Sequence, residues 1–224
     1  MPTNPQYIPE LYKRYRWNDR HALWGYGADE FPTFEWIGAL ERRFANTVGR
    51  ADAPVFLIRE MIHWGGSQNG VLEKFDLSLG TYNLSELFGR LCKNLEQPDA
   101  AIRTALEIPG MGLSYASKLL RFLRPDKYGA LDGQIREHLI ETSDFPKIYD
   151  GITNNMVNGF VKFTQLLSDL KEELQRRDIA RPGSASETLQ WRNADIEMAI
   201  FQQALERKIQ RAAERRIERR ASRA

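Results

Sequence analysis

The chain has 224 residues, 42% hydrophobic and 28% charged, which is enough apolar material for a real core and excludes a disordered polyelectrolyte. Its 32 Lys and Arg nearly balance 30 Asp and Glu, leaving a formal net charge of +2 that by itself names no partner. A single cysteine, Cys92, excludes an internal disulfide and a four-thiolate iron–sulfur cluster, and the three histidines, His21, His63 and His138, stand at no zinc-site spacing.

No apolar run approaches the length of a membrane span, and Met1 to Glu10 lacks the charged-then-apolar pattern of a secretion signal. The expectation is a cytoplasmic protein without membrane partner, metal or other cofactor. From the N-terminus, Trp17 to Phe34 reads as a long loop rich in Gly, Pro and aromatics. Apolar residues three and four apart predict helices over Trp36–Phe44, Val55–Trp64, Leu84–Leu95 after an Asn83 cap, and Ile102–Leu106 after Pro98. Between the second and third of these, Trp64 to Gly70 reads as a second loop. Further helices are expected from about Asp132 to Ile140, from Thr153 through Leu174, and from Ala194 into the C-terminal tail. Arg177 to Ser186, with Pro182 and Gly183, reads as a linker, and Ser184 with Glu187 as a capping box. No strand signal competes, so the fold class is all-α. The division suggested is 1–180 as a helical domain and 181–224 as linker plus basic helix.

Charge is concentrated at one end. From Glu206 to Arg223 the chain carries eight Lys and Arg against three Glu. Such a helix either tracks phosphates or is a solvated helix with i,i+4 ion pairs.

The densest information lies in Ala105 to Leu123. One amphipathic helix ends at Glu107, a tight turn follows in Ile108-Pro109-Gly110-Met111-Gly112, and the next helix opens at Leu113. Two glycines permit positive φ and close approach of the backbone to an outside surface, while Ile108 and Met111 anchor the turn. Amides at the start of the second helix, with the positive end of its dipole, favour an anion without reading a base. A tight connection between helices needs no more than this.

This turn, followed twenty residues after Gly112 by Asp132 in Ala130-Leu131-Asp132-Gly133-Gln134, resembles the helix-hairpin-helix DNA glycosylase superfamily. The Leu-Asp-Gly run looks like the adenine-mismatch branch, and the layout without an iron–sulfur cluster more like the 8-oxoguanine branch. The likeness is specific from about Pro98 to Leu139, with the hairpin at about 98–123. It implies helical subdomains around a cleft for duplex DNA, and a location on the nucleoid when bound. It also implies contacts to DNA from Ile108, Pro109, Gly110, Met111, Gly112, Ser114, Ser117 and Arg121, and a catalytic carboxylate at Asp132. Asp132 at a helix start is also what an N-cap requires.

Bifunctional members carry a nucleophilic lysine where this chain has Ser114, which implies a monofunctional enzyme with water as nucleophile. Lys118 lies one helical turn further on the same face, as a displaced nucleophile, a phosphate contact or a solvated lysine. Ser114, Ser117, Lys118 and Arg121 form a polar stripe opposite Leu113, Ala116, Leu120 and Leu123. Candidates for holding an extruded base are Trp64, Gln68 and Trp24, with Trp17, Tyr26 and Trp36 as further aromatics. The segment Trp191 to Asp195 either returns to the cleft or starts the last helix with Asn193 as cap. Two functions follow: a base-excision enzyme acting through Asp132, or a non-catalytic DNA-binding module that keeps the hairpin and uses Asp132 only as a cap.

Overall fold

One helix, Leu113–Leu123, is buried along almost its whole length, with the helices Thr33–Ala45, Val55–Trp64 and Pro98–Leu106 packed against it. The computed structural model describes residues 3–15, 33–183 and 190–221. Among these the fold is all-α, with ten α-helices: α1 Ile8–Arg14, α2 Thr33–Ala45, α3 Val55–Trp64, α4 Val71–Ser78, α5 Leu84–Asn94, α6 Pro98–Leu106, α7 Leu113–Leu123, α8 Gly133–Thr142, α9 Thr153–Arg176 and α10 Asn193–Ala221. Short 3₁₀ turns occupy Pro5–Tyr7 and Gln68–Gly70. Among the described residues no helix is long and apolar enough to cross a membrane.

Helix boundaries follow local chemistry. Asn83 caps α5 by accepting the Glu86 N–H, Pro98 stands in the first turn of α6, and Asp132 caps α8 by accepting the Ile135 N–H. The predicted helices are all found, α3 with the bounds expected. Two are additions, α1 and α4. Asn193 does not serve as a cap: it is the first residue of α10, and its side-chain amide donates to Lys127 O at 2.7 Å. Asp195 instead accepts the Arg192 N–H at 3.1 Å, closing the helix start from inside. Trp191, two residues before the last helix, packs in the core against Tyr12, with its indole N–H on Ile179 O at 2.7 Å. Ser184 and Glu187 lie outside the described residues, as do Trp17, Trp24 and Tyr26.

The sequence-based boundary at 181 does not separate two packed units. Ile196, Met198, Ala199, Ile200 and Phe201 of α10 belong to the same core as α1 and α9. Only the outer half of α10 leaves it, because the apolar residues stop and the arginines begin.

Around α7 the packing is partly ionic. The stripe of Ser117, Lys118 and Arg121 does not face solvent as its polarity suggests. Arg121 has no exposed surface, and its guanidinium meets Glu41 of α2 at 2.7 Å and Glu197 of α10 at 3.7 Å, stacked over Phe122. Glu41 also receives Arg192 at 2.7 Å, and Arg192 with Arg181 grips the fully buried Asp195. Charges this deep are tolerated only when paired. Replacing Arg121 with Met is therefore expected to cost about 3–5 kcal/mol, because Glu41 and Glu197 remain buried with less compensation. Urea unfolding checks this, and a loss below about 1 kcal/mol would show that Arg121 packs without holding the carboxylates.

Candidate functional site

The hairpin between α6 and α7 is built as its residue types demand. Ile108 and Met111 are buried and pin the turn, closed by the Met111 N–H on Ile108 O at 3.1 Å. Gly110 adopts φ +83°, and a Cβ there would lie 2.9 Å from Lys74 Cβ and 3.0 Å from Val71 O, so the turn sits directly on α4. Gly112 is extended (φ −81°, ψ −178°) and exposed, so of the two glycines only Gly110 uses left-handed backbone. No side chain caps α7, which leaves the first amides of the helix without an intrahelical acceptor.

Asp132 is fixed from the α7 side. Ser117, with no exposed surface, accepts the Leu131 N–H at 2.9 Å and donates to Ser114 O at 3.0 Å, tying the segment before α8 to the helix after the hairpin. One residue later the Asp132 carboxylate accepts from Ile135 N at 2.9 Å through Oδ1. Asp132, Ser114, Lys118 and Gln68 then line one cleft of about 270 Å³, together with Tyr115, Gln134, Glu137 and Lys208.

Lys118 is buried rather than solvated. Its Nζ donates to Ser114 Oγ at 2.9 Å and lies 5.4 Å from the Tyr115 ring. Burial pushes its pKa below the ordinary lysine range, against the attraction of Asp132 and Glu197. The neighbouring loop is shaped around it. Gly65, which caps α3, has no room for a side chain: a Cβ would meet Tyr115 Cε1 at 2.8 Å and Lys118 Cδ at 3.2 Å. Tyr115 Oη donates to Gly65 O at 3.2 Å and accepts the Gln68 N–H at 3.0 Å, which holds the exposed Gln68 at the rim.

Several expected contacts are corrected by burial. Ser117 and Arg121 are sealed inside the fold and touch no surface that DNA can reach; they are positioning and structural residues. Ile108 and Met111 support the hairpin from within and Gly110 packs on α4, which leaves Pro109 and Gly112 at its outer face. Trp64 is not at the cleft: its ring packs against Trp36, with centroids 6.2 Å apart, and edge-on to Phe122 at 5.1 Å. Trp24 lies outside the described residues.

Sequence reasoning misses Tyr115, Gln134, Glu137 and Lys208 at the site. Gln134 is within its reach, two residues past Asp132 on the same helix start. Lys208 is visible only as one cation in a basic tail. Compared with protein-family models, with curated proteins and with solved structures, the chain matches none.

Behind the cleft, Glu197 is sealed between Arg121, Lys118 and Asp132. Burial pushes its carboxyl up to about 7, with Arg121 opposing the shift, Asp132 adding to it, and Lys118 and the Ala130 N–H opposing it. Since the unfolded carboxyl titrates near 4.5, the folded protein holds a proton that the unfolded chain releases between these values. Its contribution to stability is therefore lost as pH rises from 4.5 to about 7 and is constant above. Glu197→Gln removes that slope, so its stability relative to the parent should climb with pH across the window and stay level outside it. A difference that does not vary with pH would mean that Glu197 titrates as an ordinary carboxyl.

Proposed function

We propose that the protein is a DNA glycosylase of the helix-hairpin-helix kind, which binds duplex DNA through the 108–112 turn and excises a modified or mispaired base with Asp132. The observation that carries this reading is the convergence of Ser114, in the first turn of the uncapped α7, with Lys118 and Asp132 on one cleft. In it, a DNA phosphate lies against the amides of Gly112, Leu113 and Ser114, where the helix dipole favours an anion and no base is read. The target nucleotide is rotated out of the stack so that its sugar reaches Asp132.

As the C1′–N bond breaks, its electron pair leaves with the base and positive charge develops on the sugar. The Asp132 carboxylate stabilises that charge. A water oxygen then bonds to C1′ and its proton passes to the departing base, leaving an abasic site. Ser114 in the position of a lysine suits water as nucleophile.

One observation favours a second reading with Lys118 as nucleophile. Its amine is in the cleft, held on Ser114 Oγ, and burial eases loss of its proton. In this case the neutral amine attacks C1′, and the base departs with the bonding electrons and takes the proton that the amine gives up. The C1′–O4′ bond then opens with its electrons on O4′, which takes a proton, as the nitrogen lone pair forms the Schiff base that permits strand cleavage.

Labelled duplexes bearing 8-oxoguanine, uracil, an alkylated purine or an A·G mismatch separate these readings. Alkali-dependent strand breaks are expected on at least one, and Asp132→Asn should lower excision by roughly a hundredfold or more while binding persists. Tight binding with no excision of any base would leave a DNA-binding module in which Asp132 is only the α8 cap. Borohydride should trap no covalent adduct if water is the nucleophile, whereas an adduct lost in Lys118→Ala would assign the bond-forming amine to Lys118.

A further inference from the structure

A groove of about 310 Å³ runs between α8 and α10 and shares Gln134, Glu137 and Lys208 with the Asp132 cleft, so one channel continues into the other. Its α10 wall carries Arg207, Lys208, Arg211 and Arg215, and its α8 wall the carboxylates Glu137 and Glu141. Arg211 is engaged by Glu141 at 2.5 Å. Arg207, Lys208 and Arg215 are exposed and have no carboxylate partner among the described residues. The α10 wall is therefore the cationic one, with three side chains left for an outside anion.

Arg207, Arg211 and Arg215 succeed one another at four-residue intervals along a single helix face. At 1.5 Å per residue they span about 12 Å, which matches roughly three to four nucleotides of a strand that rises about 3.4 Å for each charge. The groove floor is polar and incomplete. Gln134 Oε1 and His138 Nδ1 are buried with no hydrogen-bond partner among the described residues, while His138 Nε2 is occupied by Gln203 at 3.2 Å. Polar atoms of this kind suit ordered water bridging protein to phosphate.

We infer that the α8–α10 groove is a second phosphate-binding track, which takes the backbone of duplex DNA flanking the nucleotide presented to Asp132. The inference rests on the glycosylase reading for the identity of its ligand, and it assigns the basic C-terminal helix a defined path. The hairpin then holds one phosphate by backbone amides, and the groove holds the backbone at a distance by arginine.

The test is fluorescence anisotropy of the full chain with a duplex carrying one reduced abasic site, titrated from 50 to 200 mM NaCl. Each phosphate that the protein no longer neutralises makes the slope of log affinity against log salt less negative by about 0.9. Arg207→Gln/Arg215→Gln should therefore flatten the slope by about 1.8, so that the affinity advantage of the parent shrinks roughly twelvefold over this range. Glu141→Gln releases Arg211 and should steepen the slope by up to about 0.9, a gain that misfolding does not imitate. Slopes equal to the parent in both variants overturn the inference. If bases are excised but the slopes do not move, the track fails and the glycosylase reading stands. If the slopes move as stated but no base is excised, the track stands as a DNA-binding surface and the glycosylase reading fails.

Discussion

Everything at the candidate site depends on α7 being buried with its charges. A helix that carries Lys118 and Arg121 into a core pays a desolvation cost unless opposite charges meet it there. Glu41 from α2 and Glu197 from α10 do so at Arg121, which forces three helices distant in sequence to converge on one another. Arg192 and Asp195 extend the same network, and Asp195 also closes the first turn of α10. The ion pairs are thus less a source of net stability than a constraint on register. A shift of α2 or α10 along its axis would take a carboxylate away from the arginine and leave both buried.

The consequences run from packing to chemistry. With α7 fixed, its N-terminus has one position relative to the hairpin, and Ser117 transmits that position to Leu131 and hence to Asp132. Lys118, one turn from the hairpin, is desolvated by the same burial, so its amine and the Asp132 carboxylate face a shared cleft with Glu197 behind them. Under the proposed function this pairing sets the division of labour: a carboxylate for the developing positive charge, and an amine or a water for C1′. Close approach at Gly65 seats the end of α3 against Tyr115 and Lys118 of α7, and at Gly110 it seats the hairpin turn on α4.

The helical architecture and the hairpin are legible in the sequence for a physical reason. Apolar periodicity, Asn83, Pro98 and Asp132 act within a turn or two of the chain, so their signals are local. Sequence reasoning singles out Ser114, Lys118, Asp132 and Gln68, which line one cleft, because three of them lie within twenty residues of the hairpin. The errors share one cause. Polarity suggests exposure for Ser117 and Arg121, and an aromatic beside glycines suggests a pocket wall for Trp64. Each is decided by partners remote in sequence: Glu41 and Glu197 for Arg121, Leu131 for Ser117, and Trp36 and Phe122 for Trp64. Likewise α4 escapes the periodicity because Val71–Ser78 is only eight residues long and buries only Val71 and Phe75, and it packs against the underside of Gly110.

The central claim is that the α7 N-terminus and Asp132 act on one DNA strand as a single site. The most direct measurement is a crystal structure of the Asp132→Asn protein bound to a duplex with one reduced abasic site. The account predicts a phosphate oxygen within hydrogen-bond distance of the Gly112 to Ser114 amides and the abasic sugar in the cleft between residue 132 and Lys118. DNA bound on another face, with the hairpin amides open to solvent, would contradict it.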